Sequence, residues 1–404
     1  MLFTLIKNEF IKLFRKAKTW IVFALFALCV IAMAVMSNIN AKDMRYNMSP
    51  EGRIESLNQS MKWQNEHLKS IENLTEPWVK EEITRIKEEI SNTEQQIKEQ
   101  EDRKNKPVDA EAWKKDLEEE KKLVQQNLAD ENVPDMYKNH DKQRLEQINA
   151  YLEAGIEPVP EWEFDAANYS KGFMQMIGLI ILVAGIAVFM SDIVSGEATP
   201  PTLKFLLVQP ISRGKVLLSK FITVVLTVVG MISGLQLAAF GVVGAIGGFD
   251  GMKMPTIIGN QYKVELKDGY PELTMIDGSG ILATRGEALF QSFALQILFI
   301  VACCAIVFLI SAIIKSSMIT MAISVIISVA STMICMMSST IGSKFAHLIF
   351  LNYGNTPSII DGSVAYMFNN PNFTMGLGVV LMVGTTIVSY LIAHIVFSKK
   401  DILI

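Results

Sequence analysis

Six stretches of this chain run without Asp, Glu, Lys or Arg for about the length that a helix needs to cross lipid. They are residues 20–37 ("WIVFALFALCVIAMAVMS"), 173–191, 221–249, 288–314, 316–343 and 372–398. A bilayer core of ~30 Å takes about 20 predominantly apolar residues of helix, so each stretch is read as a transmembrane span. Several exceed that minimum, and the excess predicts tilt, interfacial ends, or kinks at Gly230, Gly234 or Gly376. The expected fold is an all-α polytopic membrane protein.

Charge is concentrated elsewhere. Residues 38–172 hold 20 of the 37 Lys+Arg and 30 of the 41 Asp+Glu, a local net charge of −10. A water-exposed insertion therefore interrupts the apolar runs after the first span. Residues 250–287 and 344–371 form shorter connections of mixed character. The four cysteines, Cys29, Cys303, Cys304 and Cys335, all lie in the spans. That placement fits buried thiols and offers the insertion neither a disulfide framework nor a thiolate metal cage. A net charge of −4 with no dominant basic block argues against nucleic acid as a partner.

Basic residues beside span ends set orientation. Lys7, Lys12, Arg15, Lys16 and Lys18 precede span one; Lys204, Arg213, Lys215 and Lys220 follow span two; Lys315 follows span four; Lys399 and Lys400 follow span six. These segments alternate across the bilayer correctly for one side, so both termini, the segment 192–220 and the tail 399–404 are assigned to the cytoplasm. Residues 38–172, 250–287 and 344–371 then face outside. The long basic region and the 17 apolar residues from Trp20 to Met36 favour a retained span over a cleaved signal peptide.

Residues 1–19 open with "MLFTLIKNEFIKLFRK". Leu2, Ile6, Phe10 and Leu13 recur on one side of a helix and Lys7, Asn8, Lys12 and Arg15 largely on another. Such a segment is expected to lie in the interface, its apolar side in lipid and its cations among anionic headgroups. Phe10, Lys12 and Arg15 are the residues selected for that role. The insertion repeats apolar residues at three-and-four spacing. Ile54, Leu57, Met61, Leu68 and Ile71 mark one helix, with Gln64 in the missing position. Val79, Ile83, Ile86, Ile90 and Ile97 mark a second; Trp113, Leu117, Val124 and Leu128 a third; Leu145, Ile148 and Leu152 a fourth. An extracellular helical hairpin or coiled-coil stalk is predicted, free to bind an outer ligand or partner or to serve as a solvated spacer. In 250–287 the alternation of Tyr262, Val264 and Leu266 predicts a small hairpin or irregular cap. The segment 344–371, broken by Gly354, Pro357 and Gly362, is expected to form short re-entrant or interfacial helices.

No catalytic constellation emerges. A phosphate loop is missing, because Gly214-Lys215 is followed by Val216. His67, His140, His347 and His394 are scattered, which leaves no metal site. Span hydroxyls such as Ser311, Ser324 and Thr332 have no nearby His or Asp in sequence and fit hydrogen bonding within or between helices. The span interiors lack the carboxylates and cations that ion-coupled carriers need. His394, five residues before Lys399, reads as an interfacial histidine.

The remaining feature is "GEATPPTLKFLLVQPISRGKVLLSK" at 196–220. Prolines at 200, 201 and 210 brace a short apolar turn whose Leu206 and Leu207 form a knob beside Arg213 and Lys215, a pattern suited to docking in a groove of a soluble partner. The order Glu197, Thr202, Leu206-Leu207, Pro210, Ser212-Arg213 and Lys220 resembles the first inner loop of ATP-binding-cassette type 2 permeases. "LIKNEFIKLFRKAKTW" resembles their opening amphipathic helix, and six spans with both ends inside match their topology. Pro201 departs from the glycine usual there. The resemblance implies a permease subunit without catalytic residues of its own, driven through a coupling helix at those positions. ATP–Mg would be held by a separate ABC ATPase dimer, and a second permease, the same or related, would complete the complex. It further implies export of an amphipathic cargo such as a peptide antibiotic, drug or lipid-like molecule across a bacterial plasma membrane. Two alternatives carry no transport: a mechanotransmission permease working its outer stalk, and a membrane-anchored coiled-coil sensor or scaffold.

Overall fold

The computed structural model describes residues 2–74, 76–105, 111–197, 212–267 and 269–399. The chain forms two compact units. One comprises residues 35–116 and 160–164; the other holds the remainder.

Helix α1 (Leu2–Phe14) leads into α2 (Ala17–Met48), an uninterrupted helix that carries the first apolar run. Helices α3 to α6 follow: Pro50–Ile71, Pro77–Asn105, Ala112–Ala129 and Asp135–Ala154. The second run is not a straight span. It is divided between α7 (Ala166–Ile177) and α8 (Ile181–Met190), bent by 66°. The next long helices are α9 (Arg213–Gly247), α10 (Arg285–Ile313) and α11 (Ser317–Met337). Short α12 (Ser339–Phe345), α13 (Thr356–Asp361) and α14 (Val364–Phe368) precede α15 (Met375–Lys399). By length and apolarity five described helices can cross a membrane, and six spans result if the bent pair is one. The all-α membrane architecture is as the composition requires.

The bend has a packing cause. A Cβ at Gly178 would run into the carbonyl of Gly354, and a Cβ at Gly354 would run into that of Gly178. Two backbones therefore cross at van der Waals distance where α7 ends, and only glycine fits on both sides. By contrast α9 runs as one helix through Gly230 and Gly234, where a Cβ would meet nothing. The break sits in a span for which no kink was anticipated.

Helix α10 is the centre of the core. Phe299, Cys303, Cys304 and Phe308 are fully buried on it, and it packs against α8, α9 and α15. Its start carries a full capping box, Thr284 with Glu287, which satisfies two of the N–H groups a helix end leaves open. Asp165 caps α7 by accepting from Asn168 N at 2.7 Å and also accepts from Gly251 N at 2.7 Å.

Between α9 and α10 a small cap forms from two antiparallel pairs, β1 (Pro255–Ile258) with β4 (Ile281–Thr284) and β2 (Tyr262–Lys267) with β3 (Tyr270–Met275). The hairpin read from the Tyr262-Val264-Leu266 alternation is β2–β3. Helix α6 is fastened to this cap: Asn139 Nδ2 donates to Met275 O at 2.9 Å, Gln143 Nε2 to Asn260 Oδ1 at 2.6 Å, and Lys142 pairs with Asp277. Helix α5 joins α6 through Arg144, whose guanidinium donates to both oxygens of Glu120 at 2.6 and 2.8 Å. The insertion read as one stalk over 38–172 is thus shared between the two units.

In the smaller unit α3 and α4 pair along their length. Ile71, Val79 and Ile86 are buried together with Leu68, Ile83 and Ile90 against them. Gln64, the polar residue in the apolar stripe of α3, accepts from Thr93 Oγ1 of α4 at 3.3 Å. Ser49 starts α3 as an N-cap with Pro50 next to it, the usual N-terminal punctuation.

Candidate functional site: the helix ends around residues 198–211

Residues 198–211 lie outside the described structure, so Thr202, Leu206, Leu207 and Pro210 do too. What the structure describes is how both ends of that segment are anchored, at Glu197 and at Ser212.

On the upstream side the chain leaves α8 through a turn that ends in a 3-10 segment, Ser195–Glu197. Asp192 takes Lys16 Nζ on one oxygen at 2.9 Å and Lys18 Nζ on the other at 2.8 Å. Partial burial pushes the Asp192 carboxyl up, but the hydrogen bonds and charges of Lys18 and Lys16 outweigh it and hold the group below the ordinary carboxylate range. Lys16 and Lys18 flank the turn between α1 and α2. That turn is closed by Thr19 Oγ1 donating to Leu13 O at 2.7 Å and Trp20 Nε1 donating to Phe14 O at 2.9 Å, so late carbonyls of α1 gain partners. Ser311, near the end of α10, accepts from the backbone N–H groups of Val194 and Ser195 at 3.2 and 3.1 Å. The Ser195 hydroxyl lies 3.2 Å from that of Ser317 at the start of α11.

The downstream side begins at Ser212, which is exposed and precedes α9 without a side-chain cap bond. Arg213 donates to Ser398 O at 3.4 Å, tying the start of α9 to the end of α15. At Gly214 a Cβ would stand 2.5 Å from His394 Cε1, so the absence of a side chain lets α15 approach. Two turns on, Lys220 Nζ donates to both oxygens of Glu9 at 3.0 Å. The Lys220 side chain is 1% exposed and that of Glu9 19%. A cation this deep is tolerable only with a close counter-charge, and α1 supplies it. Thr223 Oγ1 adds a bond to Ile6 O at 3.4 Å.

Both attachments of 198–211 therefore reach the N-terminal segment, Asp192 through the turn before α2 and the first residues of α2, and Lys220 through α1, and each also reaches other spans.

The sequence model of the ABC-2 family transporter proteins matches residues 3–402. The chain belongs to that family. It is an ABC transporter permease, a multi-pass membrane component of a transport system, and family membership implies an ABC ATPase subunit as partner. No curated protein and no solved structure matches it.

Among the residues selected from sequence in this ABC-2 permease, Ser212, Arg213 and Lys220 stand at the start of α9, and Glu197 is the last residue of the 3-10 segment on the opposite side. Lys220 is not a surface cation but a buried tether. On α1, Phe10 stacks on Phe14 at 6.3 Å while Lys12 and Arg15 are exposed. The side expected to lie in lipid is turned inward: Leu13 is buried, and Leu2, Ile6 and Phe10 are half-buried, with α1 packed on α9. Phe3, Ile11 and Phe14 are the exposed apolar residues instead.

Glu9 and Asp192 were missed, and Ser311 was read only as a hydroxyl bonding within or between helices. A signal for the first two existed. Outside the insertion acids are few, and Glu9, Asp192 and Glu197 are the ones near the inward-assigned span ends before the tail. A lysine carried into an apolar helix at position 220 needs one of them.

Proposed function

We propose that this ABC-2 permease moves an amphipathic molecule outward across a bacterial plasma membrane, using residues 196–220 as the handle gripped by a separate ABC ATPase dimer. ATP–Mg is bound by the ATPase, and the permease contributes no catalytic group. A second permease copy, identical or related, completes the complex. Leu206 and Leu207 are the knob that enters the ATPase groove, with Glu197, Thr202, Pro210 and Ser212 shaping the turn and Arg213 adding charge. Residues 38–172 face outside, and both termini face the cytoplasm.

The observation that carries this reading is the pair of charged anchors, Asp192 with Lys16 and Lys18, and Lys220 with Glu9. A passive topogenic loop needs cations near lipid but gains nothing from fixing both its ends by ion pairs to the N-terminal segment of α1 and the start of α2. A segment that must transmit force does. ATP favours whichever arrangement of the complex binds it more tightly, and the equilibrium shifts by that difference alone. The largely uncharged spans suit an amphipathic cargo better than an ion.

The test is copurification. Leu206→Asp with Leu207→Asp should leave membrane insertion intact and abolish recovery of the partner ABC ATPase. Unchanged recovery would refute the docking role.

A further inference from the structure

The β2–β3 hairpin is apolar on one face from base to tip, yet only the base of that face is covered. Tyr262, Val264 and Leu266 alternate along β2, and the register sets Met275, Leu273 and Pro271 opposite them on the same face. At the base Tyr262, Leu273 and Met275 are buried in one cluster with Ala365 of α14, and the Tyr262 ring meets that of Tyr366 edge-on at 4.8 Å. Towards the tip the same face emerges. Val264 is 52% and Leu266 78% exposed, and Pro271 is exposed beside them. A sheet with one solvated part is expected to turn polar where its support ends; this one stays apolar.

The direction of that face follows from what it rests on. It is the face turned to α14, and α14 belongs to the ends of the spans. Helix α14 packs on α11 and α12, Asn370 Nδ2 just beyond it donates to Gly342 O at 3.0 Å, and residues 369–374 lead straight into α15. These same elements expose Met337, Ile341, Phe345, Tyr366 and Met367. In a multi-pass membrane protein, apolar side chains exposed around span ends meet lipid, and tyrosine is enriched at that level. The uncovered part of the hairpin therefore continues a surface already at the membrane boundary. The opposite face carries Lys263 and Glu265, exposed and paired at 2.7 Å. The base is fixed, because Gly259 N donates to Ile360 O at 2.7 Å and Asn139 of α6 to Met275 O at 2.9 Å, so the tip projects on a held support. Three side chains fall well short of the ~1,000 Å² that a stable protein–protein interface buries, whereas shallow insertion in lipid needs no complementary partner surface.

We propose that the β2–β3 tip dips into the bilayer surface, with Val264, Leu266 and Pro271 in the boundary between headgroups and acyl chains and Lys263 and Glu265 on the hydrated face. The ligand is the lipid surface itself. The inference holds whichever side of the membrane the β-cap occupies, and it does not depend on how an ATPase docks.

The test places a nitroxide label singly at positions 263, 264, 265 and 266, through Lys263→Cys, Val264→Cys, Glu265→Cys and Leu266→Cys. The full-length permease carries Cys29→Ala as background; Cys303, Cys304 and Cys335 are buried. In phosphatidylcholine nanodiscs, power saturation reads each label's collisions with oxygen, which concentrates in lipid, and with a water-soluble nickel chelate. The oxygen-to-nickel ratio should be several times higher at 264 and 266 than at 263 and 265, a period of two along the strand. A strand uniformly accessible to nickel would overturn the proposal. Spin–spin broadening at 266 that vanishes on dilution with unlabelled permease would assign the face to a second copy and overturn it as well. Val264→Asp, at an exposed position, should bring the ratio at 266 down towards that at 265; an unchanged ratio would show that the apolar face is not what holds the tip in lipid.

Discussion

Replacing Glu9 by Ala isolates the role of α1. The change leaves Lys220, whose side chain is 1% exposed, without the carboxylate that accepts from it at 3.0 Å through both oxygens. Removing one member of a buried ion pair costs about 3–5 kcal/mol. Glu9 keeps some contact with water, which places the expected loss near the lower bound, about 3 kcal/mol. The loss falls on the docking of α1 against α9 rather than on the whole bundle, because α1 is an amphipathic helix outside the spans. A thiol placed at Leu13, buried in the docked state, reports that local opening when Cys29 is replaced by Ala to remove background. If opening and closing are faster than labelling, maleimide reactivity follows the open population and should rise on the order of 100-fold, since every ~1.4 kcal/mol is tenfold. Lys220→Met by itself should cost less, because an apolar side chain of similar length tolerates the site. The double variant Glu9→Ala with Lys220→Met should regain much of the loss, a coupling of roughly 1–3 kcal/mol in a double-mutant cycle. A rise below threefold for Glu9→Ala, or simple additivity in the cycle, would refute the view that this pair holds α1 in place.

Two further outcomes concern other contacts. The Asp192 carboxyl is held below its ordinary range by Lys18 and Lys16 against the opposing effect of burial, so its contribution is full above the ordinary carboxylate value near 3.9 and is lost as pH falls through the lower folded value. Thermal melts of the solubilised protein and of Asp192→Asn should therefore differ by a constant amount from neutral pH down to about 4 and converge only below that; convergence near pH 6 would contradict the assignment. Gly178→Ala drives a methyl into the Gly354 carbonyl, a backbone clash that no rotamer relieves, and should destabilise the bundle by about 1–3 kcal/mol as overpacking does, read as a lower melting temperature. Gly230→Ala, where a Cβ meets nothing, should be neutral or slightly stabilising; equal losses at the two positions would remove the packing explanation of the bend.

How much of this was legible in the residues can be followed feature by feature. Runs of apolar residues at membrane length fix that the chain forms long helices, since charge-free stretches of that size leave few other ways to bury surface. Three-and-four spacing likewise fixed α3 and α4, and the alternation around Val264 fixed the β2–β3 hairpin. Proline and arginine within 196–220 marked the segment proposed here for coupling. All of these are local patterns, readable because a helix or strand imposes its period on neighbours in sequence. Which elements meet is set instead by shape and charge across distances of many residues. Lys220 finds Glu9 across 211 positions and Asp192 finds Lys16 across 176, and nothing in either neighbourhood specifies the partner. Gly178 looks like any span glycine until Gly354 is pressed against it. The sequence alone determined the spans and their periodicity, through hydrophobic burial. Only the tertiary structure decided where the second span breaks and what holds α1, because those follow from close packing between segments that the chain order keeps far apart.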